Sequence, residues 1–305
     1  MIFRHESNGT VWVDIEQPTP GEIRTIAREF SIGERIEAEL LTPSPLPLVA
    51  GDAEHAMLVL HFPVHSEEGH LPKTQEVDFV VGRNFVLTVR YEVVAPLHRL
   101  RKVLETNGLM GDGPELKADV FLEILFAHLF ASVRDHTNHT ANRLTHVERE
   151  MFTGKEREAV LRISDINREF LHLSSAIANH EEPLIRFLQA LERRNFFGPA
   201  FNERALRIRA ENEQLVRLIS THRAVAVELR ETNESLLSSN QNESMKTLTA
   251  ITLLILPAEL TIFIFDMSVP GTPLHSNPNA FWIVIGVIGV VVGTLAIIFA
   301  RKHWF

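Results

Sequence analysis

Two apolar stretches near the C-terminus, residues 247–265 and 281–300, decide what kind of fold this chain can have. Each has about the 20 residues needed to cross a hydrocarbon core of roughly 30 Å. They follow a long charged stretch and lead into Arg301, Lys302, His303, Trp304 and Phe305. The first contains Pro257 and Glu259, and a carboxylate at that depth costs about 2.5–3.5 kcal/mol or more unless something compensates it. A chain ending in a hairpin of membrane helices with a charge inside is expected to move or sense something at a membrane.

Composition matters here mainly for where it changes. With 45% hydrophobic and 23% charged residues the averages are those of a soluble protein, so the apolar excess is concentrated in the C-terminal spans. The part before them is a charged body large enough for one or two domains with real cores. Residues 1–6 turn polar at once, so no cleaved signal peptide is expected and the body should stay in the cytoplasm. The absence of cysteine fits a reducing compartment. Lys246 precedes the first span, Arg301 and Lys302 follow the second, and residues 266–280 between them carry no Lys or Arg. The positive-inside rule then puts both termini in the cytoplasm and the loop outside. A net charge of −9 argues against a nucleic-acid partner and suits a body that gathers cations.

The expected fold class is an α+β cytoplasmic domain, then long stalk helices and two C-terminal transmembrane helices. Residues 1–114 form the α/β part, 115–246 the helical part with the stalk, and 301–305 a basic cytoplasmic tail. Strands are expected at 11–15, 56–64, 76–81 and 85–90, the last two flanking a Gly82-Arg83-Asn84 hairpin turn. Helices are expected from the Pro18-Thr19-Pro20-Gly21-Glu22 segment onward, at 32–41 and at 96–105, with a loop at 108–114. Beyond 115 the pattern is helical: 115–151, then 155–194 with a kink or break at Pro183, then a turn at Gly198-Pro199. Residues 201–265 contain no glycine, and an unbroken helix there would be about 100 Å long at 1.5 Å per residue. Its soluble part has an apolar seam of Leu215, Leu218, Val225, Leu229 and Leu236, interrupted by His222 and Thr232.

Stepping by three and four from Glu259 selects Ser235, Ser238, Asn242, Met245, Thr249, Thr252, Leu256, Glu259, Phe263 and Asp266. This single helix face collects most of the polar groups in and near the first span, while Leu253, Leu254, Leu260, Ile262 and Ile264 lie elsewhere. Such a stripe faces either a water-filled path or other helices to which it hydrogen-bonds, and spacing alone leaves both open. The second span is apolar, and Gly289-x-x-x-Gly293 permits close helix contact, so it is expected to pack outside the first.

At this point the residues resemble a family. Asn242-Glu243-x-Met245-Lys246-x-Leu248-Thr249, then Pro257, then Gly271-x-Pro273 and Phe281-Trp282, is similar to the CorA superfamily of divalent-cation transporters. Trp12-x-Asp14 and Glu76-Val77-Asp78-Phe79 leading into Gly82-Arg83-Asn84-Phe85 resemble its cytoplasmic domain, and the basic, aromatic ending resembles its tail. The loop pattern leans toward the ZntB-like, zinc-associated branch. One departure stands out: where the family has Gly-Met-Asn or Gly-x-Asn after the first span, this chain has Asp266-Met267-Ser268.

The resemblance implies a homopentamer in the bacterial inner membrane, its pore lined by the first-span helices, with hydrated zinc or magnesium as substrate and no resident cofactor. On it, Asn242, Met245, Thr249, Thr252, Leu256, Glu259 and Phe263 line the pore, and Asp266, Met267 and Ser268 form its mouth. Glu259 and Asp266 would then be rings of five carboxylates that attract cations. Proton coupling, associated with the zinc branch, would fall to Glu259.

Other signals are weaker. Asp135, His139, Asn142 and His146 share one helix face, where carboxylate and imidazole at this spacing can hold zinc, although a plain polar outer face has the same pattern. His136 with His139, Glu228 with Glu231 on the stalk, and His275 in the outer loop have the same two readings. No phosphate-binding Gly-x-x-x-x-Gly-Lys-Ser/Thr loop and no nucleophile motif is present, so neither an ATP-driven pump nor an enzyme is expected. The function class left beside a transporter is a non-transporting metal sensor or scaffold at the membrane.

Overall fold

The computed structural model describes residues 1–7, 9–64, 73–110, 117–266 and 279–301, without the side chains of 107–110, 265, 266 and 280. The chain divides into two units, Met1–Arg230 and Glu231–Phe305.

In the first unit, strands β1 (Ile2–Ser7), β2 (Thr10–Glu16), β3 (Leu48–Gly51), β4 (Ala56–Val64), β5 (Lys73–Val81) and β6 (Phe85–Arg90) form one sheet in the order β1-β2-β6-β5-β4-β3. Only β2 and β6 pair in parallel. Residues of β6 are buried throughout, which is why that strand is a nearly continuous apolar run rather than an alternation. The β5–β6 turn has the expected hairpin form, closed by Gly82 N–H donating to Phe85 O at 3.1 Å. A Cβ on Gly82 would stand 2.3 Å from the Phe85 ring, so any larger residue would have to displace that ring.

One face of the sheet is covered by helices α1 (Pro20–Glu29) and α2 (Glu34–Leu40). Thr19 and Glu22 form a reciprocal capping box that starts α1 with Pro20 in its first turn. Ile23, Ile26, Ala27, Ile36 and Leu40 close over Val13, Ile15, Val59, Val80, Leu87 and Val89. The helix α3 (Ala95–Met110) then leads toward α4 (Ala118–Met151), α5 (Glu156–Ala178) and α6 (Glu181–Arg194). The opposite sheet face meets α4 through aromatic rings: Phe79 stacks on Phe126 at 5.0 Å, Trp12 lies 6.2 Å from Phe121, and Phe62 lies 6.3 Å from Phe130.

The break expected at Pro183 falls just before it, at Asn179 and His180, and divides 155–194 into two helices. Pro183 has no N–H to donate back to residue 179, and its ring would clash with that carbonyl. α7 (Ala200–Asp266) is a single 67-residue helix with Pro257 inside it. Its buried seam differs from the expected one. Leu215 and Leu229 are buried and Leu218 is partly so, but Val225 is 41% exposed and Ile219 and Ala226 take its place. Six residues separate Val225 from Ile219, which turns it about a third of a turn off the line. His222, expected to interrupt the seam, stacks on Phe170 at 6.0 Å. The second unit contains the end of α7 and the apolar helix α8 (Ala280–Arg301).

Candidate ion pathway

Two described helices are long and apolar enough to cross a membrane, within Ala200–Ile264 and at Phe281–Arg301. Only 6% of either apolar window is buried, so neither is the core helix of a soluble fold. On α7, Ala250 is fully buried and Leu254, Pro257, Ala258 and Thr261 are half-buried, all on one side of the helix. On α8, Val284, Ile288, Val292, Leu295 and Ala296 are half-buried and Phe299 is buried, again on one side. A Cβ at Gly286, Gly289 or Gly293 meets nothing within 4 Å, so the glycines have no close neighbour among the described residues of one chain. Phe281 and Trp282 at the start of α8 are exposed and packed edge-to-face, as interfacial aromatics commonly are.

The polar stripe runs on the other side of α7. At 100° per residue its centre lies roughly 155° from that of the shielded face, on the far side of the helix. Asn242, Met245, Thr249, Thr252, Leu256, Glu259 and Phe263 are all exposed. Phe263 is 67% accessible, the most exposed of the apolar ones. The hydroxyls of Thr249 and Thr252 donate to the carbonyls of Met245 and Leu248 at 2.7 and 2.9 Å. With their hydrogens used inside the helix, these side chains present only acceptor lone pairs outward. At Pro257 the ladder loses one donor, and the Thr261 hydroxyl donates to the Pro257 carbonyl at 2.7 Å. Asp266 ends α7, while Met267, Ser268, Gly271, Pro273 and His275 lie outside the described residues.

The candidate ligands on α4 are not gathered into a metal site. Asp135, His139, Asn142 and His146 are exposed on its outer side, and His146 Nε2 lies 3.4 Å from Glu150. Among the described residues no group of three His, Cys, Asp or Glu side chains is placed to hold a metal. His136, one residue round the helix, is buried and meets Glu169 at 2.7 Å, as Arg143 does at 2.6 Å. These pairings and the bond from His136 hold the Glu169 carboxyl below its usual range against the opposing effect of burial. Glu228 and Glu231 on α7 are exposed.

Two buried polar clusters flank β6, and neither was visible in local patterning. On the α4 side, Arg90 and Asp14 are both fully buried and 2.8 Å apart, and Glu16 also stands 2.8 Å from the guanidinium. Thr88 donates to Asp14 at 2.8 Å and accepts from the Trp12 indole at 3.1 Å. On the α2 side are Asp78, Glu76, His61 and Tyr91. A Trp-x-Asp on β2 with Thr-x-Arg on β6 is the only sequence signal for the first cluster, and it needs the parallel register of Asp14 with Thr88 to be read.

Where α5 gives way to α6, His180 is fully buried against Phe62 and its Nε2 lies 2.9 Å from the His61 carbonyl. Burial lowers its pKa to about 4. The unfolded chain, with a value near 6.5, therefore takes up a proton first as pH falls. Stability is expected to be about 2 kcal/mol lower at pH 5 than at pH 8 from this group. His180→Gln, whose amide can still donate to the carbonyl, should flatten that part of the dependence in thermal unfolding. An unchanged slope would mean that another group carries it.

A family model described as CorA-like Mg2+ transporter protein matches residues 7–301. The cobalt/magnesium transport protein CorA of Methanocaldococcus jannaschii is 20% identical over 305 residues, covering 96% of this chain and 91% of that one. The protein of the same name from Thermotoga maritima is 21% identical over 309 residues, covering 99% and 85%. In fold, the chain resembles the complete structure of the M. jannaschii CorA magnesium transporter with a TM-score of 0.77 at 20% identity, covering 99% of this chain and 94% of that one. It also resembles the full-length CmaX protein, with a TM-score of 0.55 at 20% identity, covering 97% and 89%.

Proposed function

The chain belongs to the CorA-like Mg2+ transporter family, and from that premise we propose that it carries hydrated divalent cations across the bacterial inner membrane through a homopentameric pore lined by α7. The observation that carries this reading is the two-sidedness of α7: its shielded face and its polar stripe are opposite each other. A helix that meets its neighbour on one side and presents Thr249, Thr252 and Glu259 on the other is suited to line a water-filled path. The acceptor-only hydroxyls suit a cation that keeps its shell, because shell waters point their hydrogens outward and magnesium gives up its waters reluctantly. Both termini would lie in the cytoplasm, with the 266–280 loop outside. Transport follows the family, so the chain is a carrier of ions and not an enzyme.

Magnesium is the ion in the family's description, and zinc is the alternative favoured by the Gly271-x-Pro273 and Phe281-Trp282 pattern. Asp266-Met267-Ser268 at the mouth replaces neutral dipoles with a ring of carboxylates, with Glu259 as a second ring deeper in. Membrane potential supplies a divalent ion with roughly 4.6 kcal/mol per 100 mV. If protons are coupled, Glu259 is the titrating group inside the span. The altered mouth also supports a second reading, a non-transporting sensor or scaffold at the membrane. Flux of Mg²⁺, Zn²⁺, Ni²⁺ and Co²⁺ into proteoliposomes, with and without a pH gradient, separates the two. Flux of at least one ion is expected, and none of any ion would favour the sensor.

A further inference from the structure

Glu76 and Asp78 stand two residues apart on β5, so their side chains leave the same side of the strand, toward α2. Asp78 is fully buried and Glu76 nearly so, and the negative charge of Glu76 bears on Asp78. Among the described residues Asp78 Oδ1 has no hydrogen-bond partner. A buried carboxylate oxygen left bare is costly, and two adjacent buried carboxylates more so. A proton on Asp78 leaves one negative charge in place of two and gives the bare oxygen a hydrogen to donate.

The surrounding contacts give that proton something to control. Tyr91 Oη lies 3.0 Å from the Leu40 carbonyl at the end of α2 and 3.3 Å from Asp78 Oδ2, and a phenol has one hydrogen for the two acceptors. Glu76 Oε1 accepts from Ser44 N–H at 2.9 Å, and His61 Nε2 donates to the Ser44 carbonyl at 2.8 Å while standing 3.7 Å from Glu76. Together Tyr91, Glu76 and His61 tie residues 40 and 44, at the exit of α2, to the sheet.

We propose that Asp78 keeps its proton at neutral pH beside Glu76, and that its loss draws the Tyr91 hydroxyl from Leu40 O to Asp78, loosening the end of α2. The groups bearing on Asp78 are Glu76 on its own strand, Glu39 on α2, Tyr91 after β6, and His61 on β4 through Glu76. Arg90 points to the other sheet face, where Asp14 and Glu16 occupy it. Burial first, then the negative charge of Glu76, holds Asp78 well above the usual carboxylate range. Burial and the same acids also push the Tyr91 phenol up, so it stays protonated while Asp78 titrates. The sign follows: an acid whose folded pKa is raised lowers stability as pH climbs from the unfolded value through the folded one, so alkaline conditions loosen this contact.

The test uses the full-length protein in detergent. Infrared spectra at neutral pH are expected to show a protonated carboxylic-acid carbonyl band that Asp78→Asn removes and Glu259→Gln leaves in place. Tyr91 is the sole tyrosine of the chain, so ¹³C-labelled tyrosine gives one ring resonance. That resonance should shift as the band is lost at rising pH in the wild type, and stay fixed in Asp78→Asn. Should Asp78→Asn fail to fold, Glu76→Gln is expected to move the midpoint down by about one pH unit or more, because the like charge is gone. A band indifferent to Asp78→Asn, a midpoint unmoved by Glu76→Gln, or a tyrosine resonance that stays put while the band disappears would each overturn the proposal. None of these readouts depends on transport, so they stand apart from the ion-flux result.

Discussion

Glu259→Gln is expected to lower the initial rate of divalent-cation uptake into proteoliposomes on the order of a hundredfold, equivalent to about 2.7 kcal/mol. In the proposed pentamer one substitution removes five carboxylates from one level of the pore. Glutamine keeps the size of the side chain and its acceptor oxygen, so the change isolates charge. The residue is exposed on the polar stripe and away from the shielded face of α7, so the substitution should leave folding intact. Asp266→Asn restores an amide near the mouth and tests the outer ring in the same assay. Unaltered uptake by both variants would end the idea that carboxylates have taken over cation attraction from neutral dipoles.

The largest effect on stability is expected at Arg90. Its guanidinium has no exposure and holds the fully buried Asp14 together with Glu16. Arg90→Ala would leave two acids facing each other in the sheet core, a loss of about 3–5 kcal/mol. For a body of this size that is a fall in melting temperature on the order of 10 °C. The paired change Arg90→Met with Asp14→Leu removes both buried charges and should recover much of the loss. Melting of the single variant within a degree or so of wild type would show that the ion pair contributes little beyond the hydrogen bonds of Thr88 and Trp12.

The parts of this fold that show in the sequence are those set by nearest neighbours. β4 and β6 appear as apolar runs at their observed bounds, the Gly82 turn declares the hairpin between β5 and β6, and the lack of glycine foretells α7. β1 leaves little trace in the sequence because it is a half-exposed edge strand. Only Phe3 and His5 on its inner side carry a signal, and they gain meaning from Trp12 and Phe121 across the sheet and on α4. β3 is short, half-buried and hidden among prolines. Along α7, residue spacing alone defines the polar stripe, since one helix face needs no partner to be defined. The buried seam was harder, because which residue is covered depends on neighbours such as Phe170. Arg90 with Asp14 and Glu76 with Tyr91 need the sheet register before they can be paired at all.

In mechanical terms, the part of α7 in the second unit has one soft joint. None of the 67 residues of α7 is a glycine, and in the second unit no proline precedes Pro257. Pro257 alone omits a rung, and the Thr261 hydroxyl braces the carbonyl beside it. Within the second unit, strain on α7 would be taken up as a bend at Pro257, one turn of helix from Leu253 and two residues before Glu259.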